Sequence, residues 1–228
     1  MKTLKTLLLA IAILFAGISA SYAQFMTPES GASFSLKLFG AMPMGDFGNN
    51  STLYTLAPSI LNPTSAGNVD MGAGLGFKVE YQFNFGLGIF IGADAMWNQL
   101  NQEARTKYDA LKKTKPNYIN FPIMIGVDYQ CYFGHVFGLY AEGALGANLM
   151  YVTPEGWSDN LTEFRLSTAF AWEAGGGILI GKHLSLGVHY YALGDHKIEI
   201  KDAPAILSTA TSRMQKVDVL TFRLGLMF

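Results

Sequence analysis

Between Val69 and Phe83 every odd position is apolar (Val69, Met71, Ala73, Leu75, Phe77, Val79, Tyr81, Phe83), while the even ones read Asp70, Gly72, Gly74, Gly76, Lys78, Glu80 and Gln82. Strict alternation puts successive side chains on opposite faces of an extended strand, so one face is oily and the other carries glycine and charge. Strands in soluble domains average about five or six residues, and this one is far longer. The pattern recurs seven more times, predicting strands at 33–42, 69–83, 86–97, 118–132, 136–151, 164–180, 184–197 and 215–228. Each suffices for the roughly 9–11 tilted residues that cross a bilayer. Their connections alternate in length: 43–68, 98–117, 152–163 and 198–214 are long, whereas Asn84-Phe85, Phe133-Gly134-His135 and Gly181-Lys182-His183 are tight. Long loops at one rim and short turns at the other predict an all-β, eight-stranded antiparallel up-and-down transmembrane β-barrel, with both termini on the turn side.

Composition agrees. Only 14% of the residues are charged, against about 25% in an average globular protein, and half are hydrophobic. A soluble barrel of the lipocalin kind would turn its apolar face inward. The 16 Phe, 11 Tyr and 3 Trp exclude disorder, the single Cys131 excludes a disulfide framework, and a formal charge of -1 argues against nucleic acid as a partner. Trp97, Tyr118, Tyr151, Trp157 and Tyr191 near the loop-side strand ends are expected to form one interfacial girdle. Phe83, Phe85, Tyr132, Phe133, Phe137 and Phe228 near the turns are expected to form the other.

The first 23 residues carry an export address. Lys2 and Lys5 precede an apolar run from Leu7 to Ile18, and Ser21-Tyr22-Ala23 has the small-x-small form of a signal-peptidase site. Residues 1–23 are therefore expected to be a cleaved signal peptide and 24–228 the barrel domain, with 14 basic and 17 acidic residues left in it. The expected destination is the cell outer membrane.

Tyr118-Ile119-Asn120-Phe121-Pro122-Ile123 resembles a tyrosine-x-x-x-proline segment on the fourth strand of the PorT-type outer-membrane barrel family of Bacteroidetes. Trp172-Glu173-Ala174-Gly175-Gly176-Gly177-Ile178 and Leu184-Ser185-Leu186-Gly187-Val188-His189-Tyr190-Tyr191 look like that family's glycine-rich sixth and aromatic seventh strands. The resemblance implies an eight-stranded barrel on an OmpA- or OmpX-like plan, one branch of which assists protein secretion. Phe228, after alternating apolar residues, also looks like the C-terminal assembly signal read by the barrel assembly machinery.

An eight-stranded barrel is only wide enough inside for side chains, so bulky inward residues need small neighbours. Glycines including Gly74, Gly76, Gly88, Gly126, Gly175, Gly187 and Gly225 fall on the expected inward face, as does Pro122, where a kink in the fourth strand is expected because a proline in a closed ladder costs a hydrogen bond unless a bulge absorbs it. So do Lys37, Lys78, Glu80, Asp94, Asp128, Glu142, Arg165, Glu173 and Arg223, together with Gln82, Gln130, Asn148 and His189. Charges withdrawn from water must pair, so these are read as a polar network filling the lumen, with a narrow pore as the alternative.

No arrangement of catalytic residues stands out. His183 with Ser185 lies at the turn rim, and His196 with Asp195 is read as a solvated pair at the loop rim, so no enzymatic activity is expected and a lipid-modifying enzyme is the remoter alternative. No side-chain spacing suggests a metal, and no cofactor is expected. Specific function falls to the loops. Part of 43–68 is expected to fold over the barrel mouth. Residues 99–113 are expected to include a helical turn or two, with Arg105, Lys107, Lys112, Lys113 and Lys115 exceeding Glu103 and Asp109. The expected partners of a monomer are outer-membrane lipid and lipopolysaccharide, the assembly machinery during biogenesis, and a secretion-system or surface partner.

Overall fold

A computed structural model describes residues 25–26, 30–49, 67–110, 116–134, 136–154, 166–199 and 212–228. A short strand β1 (Phe25–Met26) precedes β2 (Gly31–Met44), the helical turn α1 (Gly45–Gly48), β3 (Gly72–Gln82), β4 (Leu87–Gln99) and helix α2 (Gln102–Ala110). There follow β5 (Pro116–Phe133), β6 (Phe137–Pro154), β7 (Ser167–Ile180), β8 (Leu184–Glu199) and β9 (Ser212–Met227). The expected signal peptide, most of the first loop, Lys112, Lys113, Lys115, Trp157 and Arg165 lie outside the described residues.

From β2 to β9 each strand pairs antiparallel with the next, and β2 returns to pair with β9 from Ser35↔Met227 to Met44↔Asp218. Phe34 and Phe228 continue that seam through two backbone bonds, of 3.0 and 2.8 Å. The chain is thus a closed eight-stranded barrel without a free edge along the seam, and β1 adds a rung to β5 at the turn rim. The cross-strand row beginning at Gln82 runs through Gly88, Asp128, Glu142, Gly175, His189, Thr221 and Ala41 and returns to β3 at Gly72, ten residues along. Ten residues of stagger over eight strands tilts them by about 40°.

The outward face is oily. Leu38, Leu75, Ile91, Ile125, Leu145, Phe170 and Phe222 all stand in the open, Ile125 at 66% exposure. Water would not tolerate so continuous an apolar belt, whereas hydrocarbon requires it, and closure gives every strand of the barrel a partner on both sides. The barrel is a transmembrane one. Of the aromatic residues expected at the interfaces, Trp97, Phe85, Phe137 and Phe228 face outward, but Tyr118 and Tyr191 turn inward and are buried. Their place in the alternation sets their direction, whatever their nearness to a strand end.

The inside divides in two. The loop-side half holds an apolar core of Phe39, Phe47, Met96, Tyr118, Met150, Leu193, Val217 and Val219. Phe47 comes from the helical turn after β2 and is fully buried, its ring edge-on to Tyr118 at 5.5 Å. Backbone bonds Gly67 N–H to Asp46 O (2.7 Å) and Val69 N–H to Phe47 O (3.3 Å) fix that turn, so the base of the first loop folds into the barrel mouth. Helix α2 forms within the second loop and packs Ala104 on the same core.

Pro122 introduces no bulge: Ala93↔Ile123 and Met96↔Asn120 keep one register, with pairing to β4 interrupted at residues 121 and 122 and complete toward β6. The missing N–H is absorbed by a gap in one ladder. The bulge lies instead in β8, between Ala192 and Asp195, where Gly194 has φ +88°. It reverses the alternation, so that Leu193 and His196 both point inward.

Candidate functional site

The middle and turn-side part of the lumen is ionic. Lys37, Lys78, Glu80, Asp94, Asp128, Glu142, Glu173 and Arg223 are all buried within the wall. They come from seven strands, each on the inward parity of its strand. Arg223 on β9 is the hub: Nη1 donates to Glu142 Oε1 at 2.8 Å and Nη2 to Glu173 Oε2 at 2.6 Å, with Asp94 Oδ2 at 3.8 Å. Its planar fork lies 4.9 Å from the Tyr191 ring centre and 6.0 Å from that of Phe39, so the charge is held between aromatic faces. The Tyr191 hydroxyl donates to Asp94 Oδ2 at 2.5 Å, and Lys37 Nζ stands 2.6 Å from Asp94 Oδ1.

Lys78 is the second hub. Its ammonium reaches Glu80 Oε2 at 2.6 Å, Glu142 Oε2 at 3.1 Å and Asp128 Oδ2 at 3.9 Å, beneath the Phe90 ring at 4.8 Å. Gln130 donates through Nε2 to Glu80 Oε1 and Asp128 Oδ2, both at 2.8 Å. His189 Nε2 and the Tyr140 hydroxyl are 3.0 Å apart. His189 Nδ1 is 3.2 Å from Glu142 Oε1 but off the line of a hydrogen bond. Glu142, Glu173 and His189 approach within metal-ligating range of one another, yet the Arg223 guanidinium already joins the two carboxylates.

Glycine makes this packing possible. A methyl on Gly76 would collide with the Asp94 carboxylate, one on Gly175 with the His189 ring, and one on Gly187 with the Tyr140 hydroxyl. A cavity of only about 30 Å³, lined by Lys78, Gln130, Glu142, Ser185 and Arg223 among others, remains on the turn side, room for a water molecule or two.

A second polar row crosses the loop-side half. His196 is fully buried, not a solvated rim residue, and only Asp195 beside it is exposed. His196 Nε2 lies 3.0 Å from the Leu193 carbonyl and Nδ1 lies 3.1 Å from the Ser167 hydroxyl. The Asn148 amide lies 2.9 Å from Nε2 and 2.8 Å from the Asn120 amide oxygen. Simple alternation along β8 assigns His196 to the outside; the bulge brings it in. At the turn rim, His183 Nδ1 is 3.0 Å from the Met227 carbonyl and tethers the end of β9, away from Ser185 chemistry.

No family model matches the chain, and no curated protein matches it in sequence. Solved structures do match. Neisserial surface protein A (NspA) superposes with a TM-score of 0.53 over 88% of this chain and 98% of that one, at 12% identity. OprG of Pseudomonas aeruginosa (TM-score 0.47, 16% identity, 89% and 98% covered) and Ail, the attachment invasion locus protein of Yersinia pestis (0.46, 15%, 88% and 100%), are also similar. At such identities the likeness to NspA is one of fold, and that fold is the eight-stranded barrel of outer-membrane proteins.

Proposed function

We propose that the chain is an outer-membrane barrel of the PorT type with a structural or interaction role: a sealed scaffold that holds its four long connections at the outer surface for a partner. The observation that carries this reading is the filled lumen. Ion pairs occupy its middle, an apolar core with Phe47 occupies its loop side, and the turn-side cavity among its charges holds about 30 Å³. A passive pore needs a continuous wet path, and a lipid-modifying enzyme needs an accessible nucleophile and base; the Ser167–His196 contact is part-buried, with the imidazole fully buried. The apolar belt, the signal-peptide pattern of residues 1–23 and the terminal Phe228 favour export and insertion by the assembly machinery. Service to a secretion system is the specific role that the PorT-like motifs suggest.

The test is a pull-down of the tagged full chain from outer membranes in mild detergent. Recovery of secretion components at stoichiometric yield supports the accessory role. Recovery in the inner-membrane or soluble fraction would contradict the location itself.

A further inference from the structure

The lumen charges do not balance. Among the described residues of the ionic layer, the five carboxylates of Glu80, Asp94, Asp128, Glu142 and Glu173 face three cations, Lys37, Lys78 and Arg223. The excess gathers at one place. Gln82, Gly88 and Asp128 are consecutive partners in one cross-strand row over β3, β4 and β5, and Gly88 in the middle has no side chain. The flanking side chains close over it: a methyl on Gly88 would collide with Asp128 Oδ1 and lie 2.6 Å from Gln82 Oε1 and 3.1 Å from Glu80 Oε1. Three oxygens therefore converge on one small volume.

Two of the three have no donor. Gln82 Oε1 and Asp128 Oδ1 are buried without a hydrogen-bond partner, on side chains whose residues are 5% and 2% exposed. Lys78 does not serve them, because it binds the other oxygens, Glu80 Oε2 and Asp128 Oδ2. Turning the Gln82 amide over does not help either. Its Nε2 donates to the Gly86 carbonyl at 2.6 Å, and the reversed amide would set oxygen against oxygen there. Unpaired acceptors facing one another at this depth call for a positive charge between them.

We propose that this point is a binding site for one hard divalent cation of the calcium or magnesium class, with Asp128 Oδ1, Gln82 Oε1 and Glu80 Oε1 as its protein ligands. Carboxylate and amide oxygens without sulfur or imidazole suit such ions, which complete their shells with water. Lys78 and Gln130, which bind these carboxylates, also line the cavity of about 30 Å³ on the turn side. Two positive charges also cancel the excess of two carboxylates in the layer. The ion would tie β3 to β5 across Gly88 of β4, beside the turn between β3 and β4.

The full chain, refolded in detergent free of lipopolysaccharide and stripped of metal, is titrated separately with calcium and magnesium chloride, by calorimetry and by thermal unfolding. One equivalent is expected to bind, raising the unfolding midpoint with cation concentration. Gln82→Met and Asp128→Asn should each weaken binding by roughly tenfold or more, and Gly88→Ala should abolish it while keeping every ligand. Heat-modifiable gel migration identifies the variants that fold, and Gln82→Met, the mildest change, serves if the others do not. No response to either cation up to about 10 mM, above the range of weak calcium modules, would overturn the proposal in favour of a shared proton. Undiminished binding by folded Gln82→Met would overturn it in favour of a site elsewhere.

Discussion

Arg223 joins Glu142 and Glu173 across the lumen, and its removal would take the guanidinium from the buried Glu173 and leave Glu142 with Lys78 as its cation. Breaking a buried pair from one side costs about 3–5 kcal/mol, more than the pair itself contributes, because the surviving charge keeps its desolvation penalty. Arg223→Met is therefore expected to lower stability by that amount in urea unfolding of the refolded barrel, and Arg223→Lys to recover part of it. A loss under about 1 kcal/mol for the methionine variant would show that the carboxylates find other partners. At this scale the sequence was informative about direction and silent about partners. Alternation alone points Lys78, Glu142 and Arg223 inward. That Gln82 meets Asp128 over Gly88 follows from registers between three strands, which no spacing along the chain reveals.

Strands were legible because their signal is local: each of the eight expected segments overlaps an observed one, from Gly31–Met44 to Ser212–Met227. What escaped was irregularity. Pro122 removes only one donor, and one interrupted ladder absorbs it without a bulge. The actual bulge, at Leu193 and Gly194, leaves no break in composition and yet reverses the facing of everything beyond it, His196 included. Gly194 has φ +88°, and a side chain there would also crowd the Phe170 carbonyl. Gly194→Val should then cost at least about 1 kcal/mol and speed hydrogen exchange at the loop-side end of β8. An unchanged exchange pattern would mean that the bulge can shift its place. Phe47 offers a parallel test of the folded-in loop base: Phe47→Ala is expected to cost about 3 kcal/mol, as for a buried aromatic in a core, whereas a surface loop residue would cost almost nothing.

The whole molecule is a wall with an oily outside and a packed inside, and its stability resides in closure. Closed barrels resist detergent until heated, so the folded chain should migrate faster on a gel than the boiled one; identical migration would count against closure between β2 and β9. Scarce charge and abundant glycine read, at first, as composition without a plan. In the barrel they belong together, since glycines such as Gly76 and Gly175 vacate the room that Asp94 and His189 fill. A filled lumen is what assigns the proposed function to the rim. Recording from the purified barrel in planar lipid bilayers tests that most directly: a filled lumen predicts no steady unitary conductance at neutral pH, and reproducible single-channel steps from the intact chain would contradict it.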